Sequence, residues 1–80
     1  MSSTEFSVYW FDELGLSYPE ARFIDAKAAM FTAVSLAQRE AAIAGRIQRV
    51  IVTDGGDHTV FEWKHGAGVT FPPPAREEIQ

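Results

Sequence analysis

The clearest alternation of apolar and polar residues lies between Arg49 and Lys64, where two runs of strand-forming residues flank Gly55-Gly56. Two consecutive glycines accept the positive φ angles of a type I′ turn, so this stretch predicts a β-hairpin with a two-residue loop. An opposite-charge pair and matched apolar pairs then face each other, as expected of a hairpin. The predicted pairs are Arg49–Glu62, Val50–Phe61, Ile51–Val60 and Thr53–His58.

The same alternation divides the hairpin into two faces, because successive side chains of a strand point to opposite sides of a sheet. The first face is predicted to form the core beneath a helix and carries Val50, Val52, Phe61 and Trp63. The second face carries Arg49, Ile51, Thr53, His58, Val60, Glu62 and Lys64.

A helical pattern occupies residues 26–44, which are rich in alanine and other good helix formers. Asp25 is a suitable N-cap, and Gly45 stands where a left-handed C-terminal residue is expected. Small residues dominate the apolar stripe, so we expect the helix to lie close against a sheet. The predicted stripe consists of Met30, Ala33, Val34, Ala37, Ala41 and Ala44.

Two extended segments precede the helix, at residues 6–11 and 18–24. The turn between them contains Gly15, which is the expected positive-φ residue. Pro19 has no backbone N–H to donate, so the second segment is expected at an edge of the sheet.

These elements predict a single α+β domain over residues 1–71, followed by a Pro-rich polar C-terminal tail over 72–80. The order β-β-α-β-β gives two layers, with an antiparallel sheet in the order 2-1-3-4 and one long helix packed on one face. Two points stay open on the sequence alone. Residues 66–71 either form a strand that covers the sheet or do not. The core side of the first strand is either Phe6, Val8 and Trp10 or Tyr9 and Phe11.

Composition removes several functional classes. The chain has 80 residues, no cysteine and a net charge of −4, from 11 acidic and 7 basic residues. The lack of cysteine excludes a disulfide framework, a thiolate nucleophile and cysteine-bound metals, and favours a reducing cytoplasm as the location. The scattered basic residues disfavour direct binding of nucleic acid. No apolar run approaches the roughly 20 residues that a membrane span needs, so no membrane partner is expected.

Asp54, Asp57 and His58 form the densest cluster of candidate metal ligands. Aspartates beside glycines supply the oxygens that calcium binds, but the spacing departs from the calcium-loop pattern, which continues to a distal glutamate. A solvated turn, in which the aspartates bond their own backbone, explains the cluster better. No histidine is paired with an activated nucleophile in a recognisable context. We therefore predict no catalytic residue, metal, cofactor or small-molecule substrate.

One helix covers only one face of such a sheet, and the other face would then expose contiguous apolar surface. We therefore predict a non-enzymatic protein-interaction module that self-associates, as a homodimer, through the helix-free side of the sheet. The predicted interface consists of Tyr9, Phe11, Ile51 and Val60, rimmed by Arg49, His58 and Glu62.

The alternative hypothesis is an accessory or inhibitor protein of a mobile genetic element, which binds and blocks a larger host nucleic-acid-handling complex. Acidic residues would then make the contact, and partner capture would be strongly sensitive to salt. The candidate residues are Asp12, Glu13, Asp54 and Asp57.

Overall fold

The computed structural model describes residues 4–72 of the chain, so the predicted tail lies outside them apart from Pro72. The neighbouring strands are all antiparallel, in the sheet order β2-β1-β3-β4-β5. The α+β class is confirmed, and the predicted order 2-1-3-4 lies within the observed one. The elements are β1 (Phe6–Phe11), β2 (Ser17–Ile24), α1 (Ala26–Ala37), α2 (Glu40–Ile43), β3 (Arg49–Thr53), β4 (Thr59–Lys64) and β5 (Gly68–Phe71).

The packing of β1 resolves which of its two sides faces the core. Val8 is fully buried, and Phe6 and Trp10 pack against the same hydrophobic cluster. Tyr9 and Phe11 therefore lie on the opposite side of the sheet, away from the two helices. We call this side the helix-free face.

The β3–β4 hairpin keeps the predicted core face but not the predicted register. Val50, Val52 and Phe61 are buried in the core and Trp63 packs against it, as predicted. The predicted register is wrong by two residues over most of the ladder. The observed pairs are Arg49–Lys64, Val50–Trp63, Ile51–Glu62, Val52–Phe61 and Thr53–Thr59.

Two local features cause this shift of register. The backbone N–H of Asp54 donates to the carbonyl of His58 at 3.0 Å, which closes a three-residue loop instead of a two-residue one. The residue of this loop with a left-handed backbone conformation is Asp57, which has a φ of 64°. A bulge in β4 then makes Val60 an extra residue in the ladder. Each feature shifts the pairing by one residue, so together they restore the predicted faces for the rest of β4.

The predicted long helix is divided in two. Its start is as predicted, because the side chain of Asp25 accepts a hydrogen bond from the backbone N–H of Ala28 at 2.7 Å. α1 ends at Ala37, and Arg39 has an extended backbone before α2 begins. Gly45 has a φ of 87° and follows α2 in the hydrogen-bonding pattern of a Schellman motif, which agrees with its predicted role.

The buried side of α1 is displaced from the predicted stripe. Ala29, Ala33 and Leu36 are fully buried, whereas Met30 is 39% exposed and Val34 is 44% exposed. α1 packs on β1, β2 and β3 through this alanine-rich side. The prediction of a small-residue contact is therefore confirmed, but its assignment of Met30 and Val34 to that contact is wrong.

The two outer strands of the sheet are β2 and β5. β2 lies at an edge, as Pro19 predicts, and its pairing with β1 is interrupted by two register shifts. β5 pairs with β4, so residues 68–71 extend the sheet rather than cover the helix-free face.

Candidate interaction surfaces

The centre of the helix-free face is formed where β1 and β3 pair. Tyr9 lies opposite Ile51, and Phe11 lies opposite Arg49. Ile51 is buried, whereas the two aromatic side chains are half-buried. The guanidinium carbon of Arg49 lies 4.9 Å from the centroid of the Phe11 ring, which is a cation–π contact. Four of the residues predicted for the interface are therefore neighbours.

A hydrogen-bonded cluster joins this centre to the two strands beyond it. Arg49 Nε donates to Glu62 Oε2, and the hydroxyl of Thr70 donates to Glu62 Oε1 at 2.6 Å. The hydrogen bond from Thr70 and the adjacent guanidinium of Arg49 hold the pKa of Glu62 below its usual range. The predicted pairing of Arg49 with Glu62 thus exists as an ion pair, although Lys64 is the residue directly opposite Arg49.

We expect this cluster to stabilise the protein at neutral pH and to lose its effect in acid. The pKa of Glu62 is lower in the folded protein than its usual value of 4.5, so its contribution is present above that pH and disappears as the pH falls through the folded-state value. Glu62→Gln should therefore lower the free energy of unfolding by about 1–2 kcal/mol at neutral pH. Urea unfolding over a pH series measures this difference, and a difference that does not shrink below pH 4.5 would contradict the assignment.

A shallow depression of about 300 Å³ borders the same cluster. It is lined by Arg49, Glu62 and Thr70, together with Thr59 and Phe71. Phe71 is 44% exposed. The helix-free face therefore has a concave part over β4 and β5 beside its aromatic centre.

Two residues predicted for the interface lie away from this centre. His58 is at the tip of the β3–β4 hairpin, where its side chain is 81% exposed. Val60, the extra residue of the bulge, packs against the core cluster. Both departures follow from the three-residue loop and the bulge, which change the alternation between Thr53 and Phe61.

Asp54 organises the tip of this hairpin. Its Oδ1 accepts hydrogen bonds from the backbone N–H groups of Gly56 at 2.9 Å and His58 at 3.0 Å. The bond from the His58 amide is the main cause that lowers the pKa of Asp54. Within residues 4–72, no three His, Asp or Glu side chains are grouped so as to hold a metal ion. The carboxylate of Asp54 therefore acts as a turn former.

The acidic residues of the alternative hypothesis form two separate groups. Asp12 and Glu13 follow the end of β1, whereas Asp54 and Asp57 follow the end of β3. Because these strands are antiparallel, the two groups lie at opposite ends of the sheet. Asp12 also accepts a hydrogen bond from the hydroxyl of Tyr18 at 2.7 Å, which is the main cause that lowers its pKa.

A pocket of about 410 Å³ lies between the β1–β2 turn and α2. Trp10, Leu14, Ala41 and Ile47 supply its apolar lining. Its charged lining consists of Asp12, Glu13, Glu20, Arg39 and Arg46.

This pocket is not among the features that the sequence predicts. The predicted helix over residues 26–44 runs without interruption through position 39, whereas the break after α1 brings Arg39 to Glu20, with Nη2 and Oε2 3.2 Å apart. Neither glycine nor proline marks the break, since the residues between the two helices are Gln38 and Arg39. The local sequence therefore offers no signal for it.

Comparisons with protein families, with curated proteins and with solved structures find no match to this chain. In the part of the chain that the structure describes, neither helix has the length and apolar character needed to cross a membrane.

Proposed function

We propose that this protein is a small non-enzymatic interaction module that forms a homodimer through the helix-free face. The observation that carries the proposal is the centre of this face, where Tyr9, Phe11 and Ile51 adjoin an already paired Arg49 and Glu62. A reducing cytoplasm is part of the proposal and is supported by the absence of cysteine.

The paired charges favour burial of this surface against a partner. An unpaired charge that is moved out of water costs several kcal/mol, whereas a charge that keeps its ion pair and hydrogen bonds costs less. Glu62 keeps bonds to both Arg49 and Thr70 without any help from a partner. The carboxylate of Glu62 can therefore be covered without leaving either of its oxygens unsatisfied.

The residue types also suit an interface. Tyrosine and arginine are enriched among residues that contribute most to binding, and such residues cluster near the centre of an interface. Here Tyr9 and Arg49 lie on adjacent paired strands. In a homodimer with twofold symmetry, each copy would present this same patch to the other.

We expect the wild-type protein to be a dimer whose dissociation is shifted by substitutions on this face. Tyr9→Glu introduces an unpaired charge and should weaken association by about 2 kcal/mol, or roughly thirtyfold in Kd. Phe71→Glu, at the exposed border of the same face, should act in the same direction. Light scattering after size exclusion, over a concentration series, measures the mass.

Phe31→Glu is the matched control, because Phe31 is exposed on α1 and lies on the other side of the sheet. It should leave the mass unchanged, and circular dichroism should show that all three variants are folded. A wild-type protein that stays monomeric at every concentration would overturn self-association. Equal weakening by Phe31→Glu would mean that the helix side, and not the helix-free face, forms the contact.

The alternative of an acidic inhibitor of a host complex remains a second hypothesis. Its four acidic residues lie at two ends of the sheet and do not make one acidic surface. We therefore favour the helix-free face.

A further inference from the structure

The pocket beside α2 takes its two signs of charge from two different segments. Its acidic residues, Asp12, Glu13 and Glu20, belong to the β1–β2 hairpin. Its basic residues, Arg39 and Arg46, flank α2. The pocket therefore has an acidic wall and a basic wall.

Most of the charged side chains that line the pocket already have hydrogen-bond or salt-bridge partners within the protein. Asp12 accepts hydrogen bonds from two backbone N–H groups of its own turn and from the hydroxyl of Tyr18. Glu20 is paired with Arg39. Among residues 4–72, Glu13 and Arg46 make no salt bridge. One charge of each sign is thus left for a ligand, and the two lie on different walls.

The rest of the pocket lining is apolar. Trp10 lines the pocket and is fixed by stacking on Tyr18, with ring centroids 4.5 Å apart. Ile47 is buried and Ala41 is half-buried in the same lining. The volume of about 410 Å³ is at the lower end of the roughly 300–1,000 Å³ range of small-molecule sites.

We propose that this pocket binds a small zwitterion with an apolar body, of the size of an aromatic amino acid. The carboxylate of the ligand pairs with Arg46, whose planar guanidinium matches a carboxylate with two parallel hydrogen bonds. The ammonium of the ligand pairs with Glu13. The apolar body lies against Trp10 and Ile47, where removal from water stabilises the complex.

The test is an NMR titration of the full chain with L-phenylalanine, followed through the indole N–H of Trp10 and the backbone amide of Ile47. Phenylpropionate, which lacks the ammonium, and phenethylamine, which lacks the carboxylate, are titrated in parallel. Loss of one charge-assisted contact should weaken binding by about tenfold, or about 1.4 kcal/mol. We expect saturable shifts with phenylalanine and about tenfold weaker binding of each analogue.

Two variants assign the charges to the ends of the ligand. Arg46→Gln should bind phenylalanine and phenethylamine equally, because the partner of the carboxylate is gone. Glu13→Gln should bind phenylalanine and phenylpropionate equally. Arg22→Gln is the matched control for charge, since Arg22 lies over Phe23 on β2 and does not line the pocket. It should leave all three affinities unchanged.

The proposal is overturned if phenylalanine produces no saturable shift at Trp10 or Ile47. It is also overturned if phenethylamine or phenylpropionate binds the wild-type protein as tightly as phenylalanine does. If Arg22→Gln weakens the binding of phenylalanine as much as Arg46→Gln does, the loss of affinity comes from the change in net charge. That result would also exclude the proposed site. These outcomes are independent of the mass measurement that tests the helix-free face.

Discussion

Leu36→Ala is expected to lower the free energy of unfolding by about 2–5 kcal/mol, because it empties a fully buried site between α1 and the sheet. A domain of 80 residues has a total stability of about 4–12 kcal/mol, so this loss is a large part of the whole. Urea unfolding followed by circular dichroism measures it.

Val34→Ala is the control for this substitution, two residues earlier on the same helix. Val34 is 44% exposed, so its truncation should change the free energy of unfolding by less than about 0.5 kcal/mol. If the apolar stripe predicted from the sequence were the buried one, Val34→Ala would lower the free energy of unfolding more than Leu36→Ala. A greater cost at Val34 than at Leu36 would therefore support that stripe and contradict the observed face of α1.

Ala29→Leu should also be strongly destabilising, for the opposite reason. Ala29 is fully buried against the sheet, and the added carbons have to displace side chains or the helix itself. Overpacking of this kind costs about 1–3 kcal/mol. A reduced midpoint in urea at an unchanged slope would show a loss of stability without a change in the surface exposed on unfolding.

Ala28→Leu provides a control with identical chemistry at the adjacent position. Ala28 is exposed, so the larger side chain meets solvent and should alter stability by less than about 0.5 kcal/mol. Similar losses for Ala28→Leu and Ala29→Leu would mean that the added bulk acts through helix propensity rather than through contact with the sheet.

The side of α1 that faces the sheet was the hardest feature to predict from the sequence. Ala29, Ala33 and Ala37 recur every four residues and lie on one side of α1, but the larger apolar residues beside them give a stronger signal. The larger residues Met30 and Val34 then determined the predicted stripe, although Leu36 is the large side chain that the sheet buries. The caps were predictable because Asp25 and Gly45 act through their own local chemistry.

The hairpin shows why the face of a strand can be correct when its register is wrong. A shift of one residue moves every side chain to the other side of a sheet, and a second shift moves it back. The three-residue loop ending at Asp57 and the bulge at Val60 supply one shift each. Glu62 therefore stays beside Arg49. Val60 lies at the bulge and packs against the core, and His58 lies at the hairpin tip, so neither belongs to the predicted interface.

The pocket was not predictable, because it depends on a helix break and on contacts between distant segments. Arg39 meets Glu20 only because the chain is extended between α1 and α2. Nineteen positions separate these two residues. Trp10 and Ile47 were separately recognisable as apolar, but their convergence on one cavity is a property of the tertiary structure.

The ion pair between Arg39 and Glu20 is a weak connection within the lining of the pocket. It joins the two walls through a single contact of 3.2 Å between partly exposed side chains. Exposed ion pairs of this kind contribute about 0–1 kcal/mol and are screened by salt. The pair can therefore open at ordinary temperature without disturbing the buried contact between α1 and the sheet. Added salt should increase the fraction of molecules in which this pair is open.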